Sequence, residues 1–220
     1  VKHFDIIVVG GGLTGSLMVY ILLESKLVSN NKLCWINPEG KVQNDNRVSF
    51  YNAKNVNLLK SFNLLKGISN IELNEVCKIE VLNEFQDKPL TWNENPNMGL
   101  VLKNNLIQKL LYKRIKTTII KSKVKDSYVN DYERSLVLEN GQIISSDLII
   151  GADGSNSKLR EISSIDYYHH NLKHIAISGY LEIHSSATKI ARQLFLREGP
   201  IGLLPVKYDK NYINYVWSIK

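Results

Sequence analysis

Cysteine is scarce in this sequence: only Cys34 and Cys77 occur among 220 residues, and neither belongs to a CxxC pair. Each lies inside a segment that we predict to be a strand. A disulfide framework or a thiolate metal site needs cysteines that are paired or clustered at short spacing. The histidines also lack a common metal-ligand spacing. We therefore expect two buried thiols in a reducing compartment and no metal site.

Long hydrophobic runs are missing as well. No apolar stretch reaches the roughly 18–20 residues that a membrane span requires. The apolar start, Phe4–Val9, is not followed by the small-residue cleavage site of a signal peptide. We expect a cytoplasmic protein, and a peripheral association with the membrane stays open.

Concentrated positive charge is the third missing feature, although the net charge is +7 at pH 7. The lysines are scattered among many asparagines, and no basic block is interleaved with aromatic residues. A nucleic-acid-binding surface usually has such a block, so we expect no nucleic-acid partner. We interpret the charge as compositional bias that helps to attract an anionic cofactor. The 44% hydrophobic residues suffice for the core of one large or two small domains.

A glycine-rich turn follows the first strand signal. The continuous apolar run Ile6–Val9 predicts a central parallel strand, because it shows no polar alternation. The run leads into a GxGxxG turn, Gly10-Gly11-Gly12-Leu13-Thr14-Gly15. Apolar residues then recur at helical spacing to about Leu27. In this context the glycines allow the turn, the approach of backbone N–H groups to a pyrophosphate, and close packing of helix on strand. We predict a dinucleotide-binding βαβ unit, with a purely structural turn as the alternative.

The second strand of this unit, Lys32–Ile36, should present an acidic residue to the adenosine ribose at its end. The chain has Asn37 there, with Glu39 two residues further on. An amide hydrogen-bonds a ribose hydroxyl without the charge that strengthens the contact. The pattern therefore keeps its glycines and lacks its acid.

Two polar residues further along the chain, Arg47 and Gln108, each have an ordinary interpretation as surface groups. Arg47, after a polar loop, is either a solvated charge or a clamp whose guanidinium forks onto phosphate oxygens. Gln108 lies in the predicted helix Asn104–Ile115, where a surface amide is the ordinary interpretation.

The rest of the chain first mixes helices with strands and then shows strands alone. Strand signals between residues 118 and 145, with a turn at Asn140-Gly141, predict a small antiparallel meander. The next apolar run, Asp147–Gly151, predicts a separate buried strand before a short helix capped by Ser155. Beyond Tyr167 the signals predict an antiparallel sheet.

These signals predict an α/β protein of two discontinuous domains. A Rossmann-like nucleotide-binding domain with an antiparallel meander takes residues 1–70 and 98–166. A second domain, built on a mainly antiparallel sheet, takes residues 71–97 and 167–220.

Four stretches of the sequence resemble one enzyme family. They are Gly10–Gly15, Asp45–Val48, Asp147–Arg160 with its GADG turn, and Phe195–Pro205 followed by Val216-Trp217. In these motifs the chain resembles the single-component FAD-dependent aromatic hydroxylases, and most closely those of ubiquinone biosynthesis. The third stretch is the most specific, because a GADG turn and a GxGxxG turn together are far more diagnostic than either alone.

The resemblance implies a flavoprotein monooxygenase, an oxidoreductase with FAD as cofactor and NAD(P)H as co-substrate. In such enzymes NAD(P)H reduces the flavin, and the reduced flavin activates O₂ to hydroxylate an electron-rich ring. The implied substrate is a polyprenylated phenol or quinone precursor of ubiquinone, which the second domain would bind. Association with the membrane surface or with a biosynthetic complex is implied as well. An NAD-linked dehydrogenase and a truncated, non-catalytic assembly or lipid-binding homologue are the alternatives.

The resemblance also implies roles for individual residues, although it identifies no catalytic residue. The implied cofactor-binding residues are Gly10, Gly12, Leu13, Thr14, Gly15, Asn37, Arg47, Gln108, Asp153 and Gly154. The glycine loop matches the family's pyrophosphate loop, and Arg47 matches its flavin-contacting arginine. Gln108 matches a flavin-side amide, and Asp153-Gly154 matches a turn implicated in both flavin and NAD(P)H binding.

The sequence departs from the family in two places. Asn37 replaces the family's acid, and the later G-D motif is absent before the last residue, Lys220. We therefore expect the N-terminal portion of the family fold, as a fragment or a natural truncation. We also expect this chain alone to bind FAD weakly or not at all.

Overall fold

The computed structural model describes residues 1–42, 47–70, 72–85, 88–93, 97–129, 134–183, 189–206 and 212–220. The chain divides into two compact units. Unit 1 comprises Val1–Asp45 and Asn105–Tyr168, and unit 2 comprises Asn46–Asn104 and His169–Lys220.

The regular elements of the described residues are short. The helices are α1 (Leu13–Glu24), α2 (Ala53–Ser61), α3 (Asn104–Arg114) and α4 (Lys158–Ile162). The strands are β1 (Lys2–Val9), β2 (Leu33–Ile36), β3 (Val48–Asn52), β4 (Asn74–Val76), β5 (Lys78–Asn83), β6 (Leu90–Asn93), β7 (Gly99–Lys103), β8 (Thr118–Ile120), β9 (Val124–Val129), β10 (Arg134–Leu138), β11 (Ile143–Gly151), β12 (Ile175–Glu182), β13 (Ile190–Leu196), β14 (Gly199–Pro205) and β15 (Tyr212–Ile219). None of the helices in the described ranges combines the length and apolar character needed to cross a membrane.

Unit 1 is built on a six-stranded sheet in the order β8-β2-β1-β11-β10-β9. β1 pairs in parallel with β2 on one side and with β11 on the other, as a central strand should. β11 also pairs antiparallel with β10, so the parallel part and the meander share one strand. A hydrophobic core cluster of this unit consists of Phe4, Ile7, Val9, Cys34, Ile36, Val124, Leu136, Leu138, Ile144 and Leu159. Full burial of a large apolar side chain typically contributes about 1.5–3 kcal/mol.

The shared strand corrects one sequence expectation. A separate strand was expected to begin at Asp147, yet β11 runs without interruption from Ile143 to Gly151. Its middle carries two buried serines, Ser145 and Ser146. Their hydroxyls are satisfied by His3 Nδ1 and by the Leu148 carbonyl, so the polar pair does not break the strand.

Unit 2 contains a six-stranded sheet in the order β12-β15-β14-β13-β5-β6 and a three-stranded sheet in the order β3-β7-β4. Neighbouring strands of the larger sheet run antiparallel except β13 and β5, which are parallel. This confirms the expectation of a mainly antiparallel sheet. The two sheets pack through Val48, Val76, Val101 and Ala191, with Phe50, Ile79 and Leu204 around them.

The compact units divide the chain at other points than the sequence-based domains. Residues 46–70 and 98–104 lie in unit 2 rather than with the glycine-rich turn. The physical reason is β3, a strand that was not predicted. β3 pairs with β7, and β7 pairs with β4, so strand pairing ties these residues to unit 2.

Candidate nucleotide-binding site

The glycine loop joins β1 to α1 in unit 1 and is anchored to both neighbouring strands. The N–H of Gly10 donates to the Ile36 carbonyl at the end of β2 (2.9 Å), and the N–H of Ala152, just after β11, donates to the Val9 carbonyl (2.7 Å). Gly10 has a φ of +130°, which L side chains rarely adopt, and a Cβ there would overlap the Ala152 carbonyl oxygen. The GxGxxG turn and the GADG turn are therefore in direct contact.

Gly15 is closely packed by other atoms of the loop, whereas Gly12 is exposed. A Cβ on Gly15 would overlap the Gly10 carbonyl oxygen, so glycine is required for α1 to pack this closely. A Cβ on Gly12 would meet no atom of the described residues within 4 Å, and Gly12 is exposed. Gly12 is also the N-cap of α1 and provides no side-chain cap for the helix. Among the residues that the structure describes, nothing therefore covers the side-chain face of Gly12 at the N-terminus of α1, as at an anion-binding helix start.

Leu13 and Thr14 form the first turn of α1 beside this open space. Leu13 is half-buried, and Thr14 is exposed. The Thr14 side chain is therefore accessible to an external ligand. The first turn carries no acidic residue that would repel an anion.

Side chains from β2 and α3 hydrogen-bond to the carbonyl groups of the loop. Trp35 Nε1 donates to Gly10 O at 2.8 Å. Gln108 Nε2 and the Tyr112 hydroxyl both donate to Gly11 O, at 2.7 and 3.1 Å. The rings of Trp35 and Tyr112 also pack edge to face, with centroids 4.8 Å apart. Gln108 is therefore no ordinary surface amide, because its side chain contacts the glycine loop.

Asn37 is fully buried beneath the loop. Its Nδ2 donates to the Tyr112 hydroxyl at 2.5 Å, and its Oδ1 accepts from the N–H of Gly40 at 3.3 Å. A Cβ on Gly11 would overlap Asn37 Oδ1, so the amide fills the space that this glycine leaves. The structure gives the Asn37 side chain internal partners and no exposed surface.

The Asp153 carboxylate of the GADG turn connects to the start of α4. It accepts hydrogen bonds from Ser157 Oγ (2.6 Å) and from the N–H of Leu159 (3.2 Å). Ser157 rather than Ser155 is the N-cap of α4, since its hydroxyl accepts from the N–H of Arg160. The Asp153 carboxylate orients the Ser157 side chain as the N-cap by accepting a hydrogen bond from its hydroxyl. Gly154 is exposed, has a φ of +91°, and has no neighbour among the described residues that a Cβ would meet.

Arg47 is the one proposed cofactor-binding residue that lies in unit 2. It immediately precedes β3, is exposed, and its carbonyl accepts from the N–H of Asn104. Asp45 and Asn46, which precede it in the motif, lie outside the described residues. Both interpretations of Arg47 therefore stand.

Trp35 and Tyr112 belong to the site but were not predicted. Tyr112 follows Gln108 by four residues and therefore projects from the same face of α3, a signal that could have paired the two. Burial raises the pKa of the Tyr112 hydroxyl, the hydrogen bond from Asn37 lowers it, and the charge of Glu39 raises it. The net shift is upward, so Tyr112 keeps the proton that it donates to Gly11.

His3, Asp5 and Asp147 form a separate group of potential metal-ligand side chains in unit 1. His3 Nε2 lies 3.3 Å from Asp147, and Lys32 Nζ lies 3.2 Å from Asp5. His3 and Asp147 are exposed and Asp5 is half-buried, and their contacts are those of ordinary surface polar groups.

The loop suits one part of a dinucleotide better than another. Open space at Gly12 and an uncapped helix start suit a pyrophosphate. The buried Asn37 amide, in contrast, offers no surface to a ribose hydroxyl. The residues present therefore fit the diphosphate of FAD, whereas Asn37, at the position where the motif usually places its ribose contact, is buried.

No protein-family model matches the chain. The chain is 29% identical over 242 residues to the Drosophila melanogaster protein named "Ubiquinone biosynthesis monooxygenase COQ6, mitochondrial", covering 99% of this chain and 50% of the relative. The human protein of that name is 26% identical over 240 residues, covering 98% and 51%. The chain thus spans about half the length of the curated relatives it matches.

Solved structures share the fold at low sequence identity. PqsL, "a probable FAD-dependent monooxygenase from Pseudomonas aeruginosa", has a TM-score of 0.80 and 14% identity, covering 99% of this chain and 61% of that one. A salicylate hydroxylase substrate complex has a TM-score of 0.76 and 15% identity, covering 100% and 56%. These findings confirm the resemblance drawn from the motifs: the chain has the fold of FAD-dependent monooxygenases and is similar, along nearly its whole length, to the ubiquinone biosynthesis monooxygenases.

Proposed function

We propose that this chain binds FAD as part of a monooxygenase of ubiquinone biosynthesis. The reaction is the NAD(P)H-dependent hydroxylation of the aromatic ring of a polyprenylated phenol or quinone precursor. The observation that carries the FAD part is the open N-terminus of α1 at Gly12, directly after the buried strand β1 and against the GADG turn. The substrate part rests on the similarity to the COQ6 proteins.

The residues of this chain hold the diphosphate in this proposal. Backbone N–H groups at Gly12, Leu13 and Thr14 donate to its oxygens, and the dipole of α1 adds a favourable charge interaction. Each hydrogen bond to a charged group contributes about 1.5–3 kcal/mol, and the helix terminus about 0.3–1 kcal/mol. The flavin supplies the redox chemistry when bound. Gly10 and Gly15 shape the turn, and the Asp153-Gly154 turn lies against it.

The cofactor part is tested by comparing ligands that share only some groups with FAD. The affinities of the chain for FAD, ADP, FMN and NAD are measured by calorimetry. The proposal predicts that ADP binds and competes with FAD, and that FMN, which lacks the diphosphate bridge, binds more weakly than FAD. NAD binding tighter than FAD would favour an NAD-linked dehydrogenase instead.

The reaction is tested on the complete gene product with ¹⁸O₂, NADH or NADPH, and a polyprenylated phenol. The proposal predicts one ¹⁸O atom in the ring of the product and consumption of the nicotinamide. A gene product that binds no flavin and consumes no NAD(P)H with any phenol would support a non-catalytic homologue.

A further inference from the structure

The carbonyl groups of the three consecutive glycines in the loop all accept hydrogen bonds. The donors are Trp35 Nε1 to Gly10 O, Gln108 Nε2 and the Tyr112 hydroxyl to Gly11 O, and the N–H and hydroxyl of Ser16 to Gly12 O. The loop is thus held by side chains from three elements, β2, α1 and α3. Glycine peptides are otherwise the most mobile in a chain, so these contacts determine the conformation of the loop.

These hydrogen bonds also set the direction of the loop N–H groups. In a planar trans peptide the carbonyl and the following N–H point to opposite sides. When Gln108 and Tyr112 hold the Gly11 carbonyl toward α3, the N–H of Gly12 points away from α3. Gly12 lies on the open side of the loop, where a Cβ would meet no atom of the part of the chain that the structure describes. The hydrogen bonds behind the loop therefore direct this N–H toward the proposed diphosphate position.

Asn37 also contributes to the hydrogen bonds around the Gly11 carbonyl, through its contact with Tyr112. Its Nδ2 donates to the Tyr112 hydroxyl, so that the hydroxyl proton is left for Gly11 O. Its Oδ1 fills the space beside Gly11 and accepts from Gly40. A carboxylate at position 37 would accept the Tyr112 proton instead and compete with the Gly11 carbonyl for it.

We infer that Gln108, Tyr112 and Asn37 are positioning residues, which hold the Gly12 N–H toward the diphosphate and do not themselves contact the cofactor. This inference rests on the proposed function, because it assigns these residues to the same loop. It gives Asn37 and Gln108 a different role from direct contact with ribose or flavin. It also makes Tyr112 a determinant of affinity.

The test uses Tyr112→Phe, which removes the hydroxyl and keeps the ring that packs on Trp35. Binding of ADP and of adenosine is measured by calorimetry for the wild-type chain and the variant. We expect ADP to bind about three- to tenfold more weakly to the variant, the loss of one hydrogen bond, and adenosine to bind equally to both. The amide resonance of Gly12 should also shift in the ligand-free variant. Tyr128→Phe, at an exposed position of β9, is the matched control and should change neither quantity.

Asn37→Asp separates the two roles of position 37. Direct ribose contact predicts tighter adenosine binding with the acid restored, whereas the positioning role predicts weaker ADP binding and no gain for adenosine. Equal ADP affinity in wild type and Tyr112→Phe, or tighter adenosine binding in Asn37→Asp, would overturn the inference and leave the proposed function intact. If the wild-type chain does not bind ADP, both fall.

Discussion

Gly15 lies so close to Gly10 that a Cβ at position 15 would overlap the Gly10 carbonyl oxygen. We therefore predict that Gly15→Ala lowers the free energy of unfolding by about 1–3 kcal/mol, the usual cost of overpacking. The neighbouring substitution Gly12→Ala is the matched control, because a Cβ there meets no described atom within 4 Å and the backbone φ is −73°. Urea denaturation of both variants measures the difference. Equal stability of the two would contradict the packing described for the loop.

Because the thiol of Cys34 is buried, we predict that the free energy of unfolding falls at alkaline pH. Burial raises the pKa of Cys34 from an ordinary value of 9.0 to about 12. As the pH rises, the Cys34 thiol ionises in the unfolded chain before it ionises in the folded chain. The contribution of the buried, neutral thiol to the free energy of unfolding is therefore fully present below about pH 9 and is lost as the pH rises toward 12. Tyr51, whose pKa burial raises to about 12, adds to the loss in the upper part of this range. The free energy of unfolding should decline less steeply with pH in Cys34→Ala, and parallel declines would contradict the burial of this thiol.

Because Glu80 in unit 2 contacts two cations, we predict that the free energy of unfolding falls at acidic pH. Lys78 Nζ and Arg192 Nε contact its carboxylate at 2.6 and 2.8 Å, and its side chain is 11% exposed. The hydrogen bond from Lys78 is the main cause that lowers the pKa of Glu80, and Arg192 adds to it. The stabilisation is therefore present above the ordinary carboxyl range and is lost as the pH falls through the lowered value.

We expect Glu80→Gln to lower the free energy of unfolding at neutral pH by about 1–3 kcal/mol, because the two cations lose their charged partner. The variant should also lose less stability than the wild type on acidification. Glu182→Gln, at an exposed position of β12, is the control. An unchanged acid dependence in Glu80→Gln would show that Glu80 contributes nothing through its charge.

The local parts of the fold could be predicted from the sequence, and the pairings between distant strands could not. The strand, glycine turn and helix at residues 2–24 follow from a short apolar run and its glycines, which act within one stretch of chain. β3 was missed because its residues, Val48–Asn52, show no apolar run and lead directly into α2. Its strand conformation comes from pairing with β7, about fifty residues away.

The buried face of α1 shows a similar limit. Its buried residues include Gly15 and Ser16, whereas Leu17 and Met18 are only half-buried. The helix is apolar on most sides, so periodicity does not select the face that packs on the sheet. Close approach of the backbone at Gly15 selects it instead.

The glycines of the candidate site were predicted from the sequence. The contacts that side chains such as Asn37 and Tyr112 make around these glycines were not. Asn37 and Tyr112 are 75 positions apart, and only the packing of α3 against β2 brings their side chains together. Each residue alone has an ordinary interpretation in the sequence. The placement of both side chains beside Gly11 requires the folded structure.

The central claim, a diphosphate at the open start of α1, is tested most directly by titrating ADP and FAD into the wild-type chain and Gly12→Val. The valine side chain enters space that no described residue occupies, so the variant should unfold at nearly the same urea concentration as the wild type. We predict that the wild type binds ADP. The affinity of the variant for ADP should be lower by at least about tenfold, or about 1.4 kcal/mol, and any affinity for FAD should fall by the same factor. Equal affinity of a folded Gly12→Val for ADP would contradict the claim, because the glycine loop would then be only a turn.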